Sequence, residues 1–172
     1  MLKTKGFSLW LMPSGEVYDI LNTLISGLSM EYNTPFFQPH ITLLDEVLIS
    51  EKEIVSKTAQ LSSIINPFKI ELDEIKYLNE YFSCLFISVK QTNELINANL
   101  KAKKIFNRKN DVKYVPHLSL IYGNLLPQIK KEIITEIGRK IPLSFDVNKI
   151  YLVSTKGAPK DCYCVKEIPL NK

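Results

Sequence analysis

The chain has 172 residues, 45% of them hydrophobic, which is enough to bury one real core and too short for more than one domain or two small lobes. Its net charge of +4 comes from scattered basic residues, with "KAKK" at 101–104 and "KK" at 130–131 read as solvated helix faces. Only a mild attraction for anionic ligands follows from that charge. No apolar run reaches membrane-spanning length, the N-terminus lacks the features of a signal peptide, and the expectation is a soluble cytoplasmic protein with no membrane partner.

In chain order, residues 6–12 read as a strand rich in aromatic and apolar types. Ser14 is the N-cap candidate of a helix that ends near residue 31. "QPHITLL" (38–44) then gives a strand carrying the first histidine, and Ser50-Glu51-Lys52-Glu53 forms a capping box ahead of a helix with Ile54, Thr58, Leu61 and Ile65 on one face. "FKIELDEIKYL" (68–78) alternates and then changes phase, as a bulged or bent strand would. Residues 82–90 are again a strand, followed by an N-cap at Thr92 or Asn93 and a helix ending near 107. "VPHLSLIYG" (115–123) holds the second histidine, and Pro127 and Gly138 bracket a helix with Ile129, Ile133 and Ile137. "LSFDVNKIYLV" (143–153) repeats the phase change of 68–78. The three cysteines, Cys84, Cys162 and Cys164, are an odd number without metal-ligand spacing and fit buried thiols; neither a metal nor a cofactor is expected.

The chain reads as two copies of one strand–helix–strand–helix–strand unit, approximately 6–78 and 82–154, fused into a single bilobal domain over 1–172 and expected to be a monomer. The two histidines are 77 residues apart, and at that offset Pro39-His40-Ile41-Thr42-Leu43-Leu44 falls on Pro116-His117-Leu118-Ser119-Leu120-Ile121 without a gap. Residues i and i+2 of a strand share a face, so His40 with Thr42, and His117 with Ser119, point away from each lobe's apolar packing. If the lobes are related by a two-fold axis, two imidazoles and two hydroxyls meet across one cleft. Such a pair suits displacement at phosphorus, with one ring neutral and accepting a proton while the other donates one. The hydroxyls would hold phosphoryl oxygens.

Those paired His-x-[Thr/Ser] motifs resemble the two-histidine (2H) phosphoesterase superfamily. The flanking "SLW", "FSCLFISVKQT" and "PHLSLIYG" are similar to its plant and fungal cyclic phosphodiesterase family over nearly the whole chain. The resemblance implies an α+β fold of pseudo-two-fold bilobal form, with two antiparallel sheets lining a central cleft and helices packed outside. It implies hydrolysis of a small cyclic-phosphate nucleotide, such as ADP-ribose 1″,2″-cyclic phosphate or a nucleoside 2′,3′-cyclic phosphate, with RNA ends as further partners. His40, Thr42, His117 and Ser119 become the catalytic set; the resemblance favours His117 as base and His40 as acid, while the near-symmetry of the motifs leaves the opposite assignment open. Tyr122 becomes a base- or sugar-contacting aromatic and Phe82 a ligand contact. Parity places Trp10 toward the cleft beside Ser8 and Met12. For Phe82 the repeat speaks the other way, since it expects residues 85, 87 and 89 on the cleft face, and Tyr122 has the wrong parity unless its strand stops there. Rival readings are an oligoribonucleotide phosphodiesterase or 2′-5′ ligase-like enzyme, and a nucleotide- or RNA-binding module without turnover. The first would want a broad basic or aromatic surface near the motifs, which the sequence does not display.

Overall fold

The computed structural model describes residues 4–171. Through α4 the elements follow the expected order: β1 (Phe7–Leu11), α1 (Gly15–Glu31), β2 (Ile41–Val47), α2 (Glu51–Ser62), β3 (Phe68–Lys76), β4 (Leu85–Val89), α3 (Asn93–Ile105), β5 (His117–Ile121) and α4 (Pro127–Ile137); the segment 143–153 then forms two strands, β6 (Ser144–Val147) and β7 (Lys149–Ser154), and β8 (Tyr163–Pro169) follows. The start signals act locally. Ser50 accepts a bond from the Glu53 amide and Thr92 from the Leu95 amide, while Ser14 caps α1 by position only and makes no side-chain cap bond.

The strands form one curled antiparallel sheet in the order β6-β3-β4-β5-β2-β1-β7-β8. It consists of two four-stranded halves, β2-β1-β7-β8 and β5-β4-β3-β6, with the same inside-to-outside logic. They join where β2 meets β5 at the pair Ile41 and Leu118, each the residue that follows a histidine. The two expected sheets are thus two halves of one sheet, and the approximate two-fold relation passes through this seam.

The halves are not the two sequence repeats. β3, from the first repeat, pairs with β4 of the second, and β7, from the second, pairs with β1 of the first. The phase change seen in 143–153 is therefore no bend within a strand. The chain leaves β6 beside β3, passes Asn148 and enters β7 in the opposite half. In 68–78 the phase change is a bulge, since the β3–β4 register slips between Leu72 and Ile75.

Helices interlock the halves further. α1 packs on β5, α3 on β2, and α2 on β7 and β8, so each repeat covers strands of the other. The predicted stripe Leu21, Ile25 and Leu28 is buried, as are Ile54, Thr58 and Leu61. Ile133 of α4 is fully buried and Ile129 and Ile137 are partly so. Lys130 departs from expectation. It does not lie on a solvated face but is 2% exposed, with Nζ donating to the Leu78 carbonyl at 2.7 Å and to Asn79 Oδ1 at 3.3 Å. A buried ammonium needs such acceptors, and these two tie α4 to the segment that leads into β4.

Of the thiols, only Cys84 is buried; Cys162 is half-buried and Cys164 exposed. Among the described residues no helix is long and apolar enough to cross a membrane, and no three His, Cys, Asp or Glu side chains gather as a metal-ligand group.

Candidate active site

The seam at Ile41 and Leu118 positions the motifs. Continuing that antiparallel register by one residue each way aligns His40 with Ser119 and Thr42 with His117. The motifs cross, so each imidazole lies near the hydroxyl of the other half. Ile41 and Leu118 are fully buried below, and His40, Thr42, His117 and Ser119 all line one cleft of about 690 Å³.

Both rings are held in the same way. His40 Nδ1 lies 2.7 Å from the Gln38 carbonyl and His117 Nδ1 lies 3.0 Å from the Val115 carbonyl, in each case the residue before the proline. A carbonyl only accepts, so Nδ1 carries a proton in both rings and Nε2 is the working atom. The proline explains the repeated setting. It restricts the residue before it to extended backbone, which turns that residue's carbonyl back toward the ring two positions on.

A matching bulge sits beside each motif. Leu9 and Trp10 pair with Leu44 and Thr42, skipping Leu43; Leu85 and Phe86 pair with Ile121 and Ser119, skipping Leu120. Trp10 and Phe86 are consequently equivalent, at an offset of 76 rather than 77. The single-residue difference corrects the expectation for β4: Leu85 and Ile87 are fully buried in the core, Val89 is buried among the same cluster, and the cleft is lined by Phe82 and Phe86. Trp10 stacks on His40 with ring centroids 3.6 Å apart and planes at 10°, and Phe86 meets His117 edge-on at 5.1 Å. The Trp10 indole N–H is fixed by Ser8 Oγ at 2.8 Å, and Ser8 in turn donates to the Leu44 carbonyl.

β5 ends at Ile121, so Tyr122 escapes the strand's alternation and turns into the cleft. Its hydroxyl lies 3.5 Å from His40 Nε2, its ring stacks on Phe37 at 3.7 Å, and Phe82 meets it edge-on at 5.2 Å. Phe37 and Tyr114, the aromatics three residues before each histidine, were not singled out from the sequence. Each reaches across the seam: Phe37 to Tyr122, and the Tyr114 hydroxyl to the Thr42 carbonyl at 2.9 Å. The offset of 77 that matches the histidines also matches this pair, and was the available signal.

Electrostatically the two halves differ. Burial beneath Trp10 pushes the His40 imidazolium down to about 4; the Gln38 carbonyl opposes that shift, and repulsion by His117 adds to it. His40 is only 6% exposed, whereas His117 is partly open to solvent. The free protein therefore holds His40 neutral at pH 7. Burial also pushes the Tyr122 phenol up, so it stays a donor. Ser119 Oγ donates to the Phe82 carbonyl at 2.9 Å, while the Thr42 hydroxyl has no partner among the described residues.

A family profile described as "Cyclic phosphodiesterase-like protein" matches residues 5–160. The chain belongs to that family of two-histidine phosphoesterases. It is 26% identical to the cyclic phosphodiesterase of Arabidopsis thaliana, covering 92% of this chain and 90% of the relative. It is 27% identical to the 2′,3′-cyclic-nucleotide 3′-phosphodiesterase of Kluyveromyces lactis, covering 83% and 75%. In fold it is similar to TT0787 of Thermus thermophilus, at a TM-score of 0.68, 18% identity and coverage of 95% and 97%. It is also similar to the E. coli LigT complex with 3′-AMP, at 0.65, 13% identity and coverage of 99% and 100%. The protein is an enzyme of the cyclic phosphodiesterase type.

Proposed function

We propose that this enzyme hydrolyses small cyclic phosphates, nucleoside 2′,3′-cyclic phosphates or ADP-ribose 1″,2″-cyclic phosphate, by acid–base catalysis between His40 and His117 without a metal ion. The observation that carries this is the crossed pair of motifs in one cleft, each with Nδ1 committed to a backbone carbonyl so that Nε2 remains for proton transfer, that of His40 lying 3.5 Å from the Tyr122 hydroxyl. Binding alone has no use for two opposed proton-transfer groups.

His117, the ring open to solvent, takes a proton from water as its oxygen attacks phosphorus. The phosphorus–oxygen bond to the ribose breaks, and His40 Nε2–H protonates the departing alkoxide. His40 starts neutral in the empty cleft, so it gains its proton as the phosphate anion enters, because a nearby negative charge favours the imidazolium. A desolvated imidazolium is a strong acid, suited to a poor leaving group. Thr42 donates to a non-bridging oxygen, and Ser119 does so once it releases the Phe82 carbonyl. Phe82, Phe86 and Tyr122 form the wall against which a base or sugar packs.

The test is turnover of a panel of cyclic phosphates in excess EDTA, with the product phosphate located by ³¹P NMR. Full activity in EDTA yielding a 2′-phosphate from a 2′,3′-cyclic nucleotide supports the reading, and loss of rate that added metal restores refutes it. An activated leaving group tests the roles, since it should rescue His40→Ala and not His117→Ala.

A further inference from the structure

Beyond the seam, β2 is held by side chains rather than by β5. Among the described residues the two strands pair at Ile41 and Leu118 alone, and two places along that register Leu43 faces Pro116, which has no N–H to donate. The carbonyls of β2 are met instead from α3 and the segment that follows it. The Tyr114 hydroxyl donates to the Thr42 carbonyl at 2.9 Å, Asn99 Nδ2 to that of Leu43 at 2.8 Å, and Arg108 Nη1 to those of Asp45 and Glu46 at 3.1 and 3.3 Å. The proline that turns a carbonyl toward His117 thus also ends the ladder, and side chains replace it.

Tyr114 connects the most. Its neighbour Val115 supplies the carbonyl that holds His117 Nδ1 at 3.0 Å, while its phenol reaches Thr42, the residue aligned with His117 across the seam. One side chain therefore ties the threonine to the segment that orients the opposite ring. That segment has little packing of its own. Val112 and Val115 are 88% and 59% exposed, and its further tie is Lys103, whose Nζ donates to the Val112 carbonyl at 2.7 Å. Burial pushes the Tyr114 phenol up, so it stays a donor.

The other half lacks this device. Phe37 stands where Tyr114 does at the offset of 77 and has no hydroxyl to donate, and its ring stacks on Tyr122. There Ser119 spends its own hydroxyl on the Phe82 carbonyl at 2.9 Å. The threonine whose hydroxyl stays free for a phosphate oxygen is the one whose main chain is fixed by a phenol.

We propose that Tyr114 is a positioning residue for phosphate recognition: its phenol fixes the main chain of β2 at Thr42, so that the Thr42 hydroxyl meets a non-bridging oxygen while His117 directs water at phosphorus. This rests on the proposed function and adds a residue to it. Threonine is stiff at χ1, so its hydroxyl moves with the strand that carries it. Both imidazoles keep their own bonds to the Gln38 and Val115 carbonyls, so Tyr114 acts through Thr42 and not through the proton transfer.

The experiment is a pair of double-mutant cycles on kcat/KM, with 2′,3′-cyclic AMP or ADP-ribose 1″,2″-cyclic phosphate, whichever the wild type turns over faster. Tyr114→Phe keeps the ring and should lose about 3- to 10-fold, the scale of one hydrogen bond and less than Thr42→Ala loses. In a Thr42→Ala background the same substitution should change the rate by less than about 2-fold, whereas in a Ser119→Ala background it should keep its full effect. The pKa values of the pH–rate profile should not move. An N–H donor at the same reach, supplied by 4-aminophenylalanine at position 114, should restore the wild-type rate. Equal losses in all three backgrounds would make the phenol a general support of the fold and overturn the role. A wild-type rate in Tyr114→Phe, a displaced pH profile, or no recovery with the amino variant would overturn it too. If Tyr114→Phe does not stay folded at the assay temperature, the amino variant decides alone: a wild-type rate supports the role and a loss overturns it. A wild type that turns over neither substrate would instead overturn the proposed function, and this role with it.

Discussion

The indole of Trp10 lies flat on the imidazole of His40, with centroids 3.6 Å apart and planes at 10°. The stack removes one face of the ring from water and so contributes to the desolvation that holds His40 near 4. Trp10→Ala should let water reach the ring and move its titration up toward the ordinary 6.5. The chain has two histidines, so the ring protons of each variant can be followed by NMR without crowding. An unmoved His40 titration would show that other walls of the cleft do the desolvating.

The same shift makes stability depend on pH. A histidine whose folded pKa lies below its unfolded value binds fewer protons when folded, so stability is highest above about 6.5 and declines as pH falls toward 4. With His40 at about 4, that loss amounts to about 3 kcal/mol across the window. Chemical denaturation of His40→Gln over the same range should give a flatter profile than the wild type. An equal slope in both would assign the acid sensitivity to other groups.

Thr42→Ala and Ser119→Ala should not cost the same. A hydrogen bond to a charged oxygen is worth about 1.5–3 kcal/mol, or about 10- to 100-fold in kcat/KM, and Thr42 has nothing to release before donating one. Ser119 must first leave the Phe82 carbonyl, which offsets part of its gain. Steady-state kinetics should therefore find Thr42→Ala the more damaging, and the reverse order would mean that Ser119 is the principal phosphate donor.

Much of this was legible in the chain. Period and terminal residues located α1 to α4, and the doubled Pro-His-x-[Thr/Ser] placed four polar side chains in one cleft. What escaped depends on partners that no local pattern names. The strand exchange through β3 and β7 leaves each strand's own alternation unchanged, so the phase change in 143–153 reads like the bulge in 68–78 although it marks a passage between halves. Phe86 was displaced from the cleft in the reading because the chain from Phe86 to its partner Ser119 is one residue longer than that from Trp10 to its partner Thr42, so the offset that aligns the histidines misaligns β1 and β4 by one. Such a slip reverses every side chain's face.

Lys130 shows the same limit. A lysine pair on a helix reads as solvated until the fold sets the Leu78 carbonyl over one of them. Lys130→Met keeps the bulk and removes the donor, leaving a buried carbonyl unpaired at a cost of about 1–3 kcal/mol. Thermal unfolding measures that cost. A rise in KM larger than any fall in kcat should accompany it, since the segment held by Lys130 leads to Phe82. A variant as stable as the wild type would make the buried ammonium dispensable.

The central claim is that His40 and His117 act as one proton-transfer unit, and a double-mutant cycle on kcat for a 2′,3′-cyclic nucleotide in excess EDTA tests it most directly. Each single His→Ala variant should lose about 10²- to 10⁴-fold. The double variant should be little slower than the slower single one, because either ring without the other leaves the in-line transfer incomplete. Losses that multiply in the double variant, or a wild-type rate that vanishes in EDTA, would contradict it.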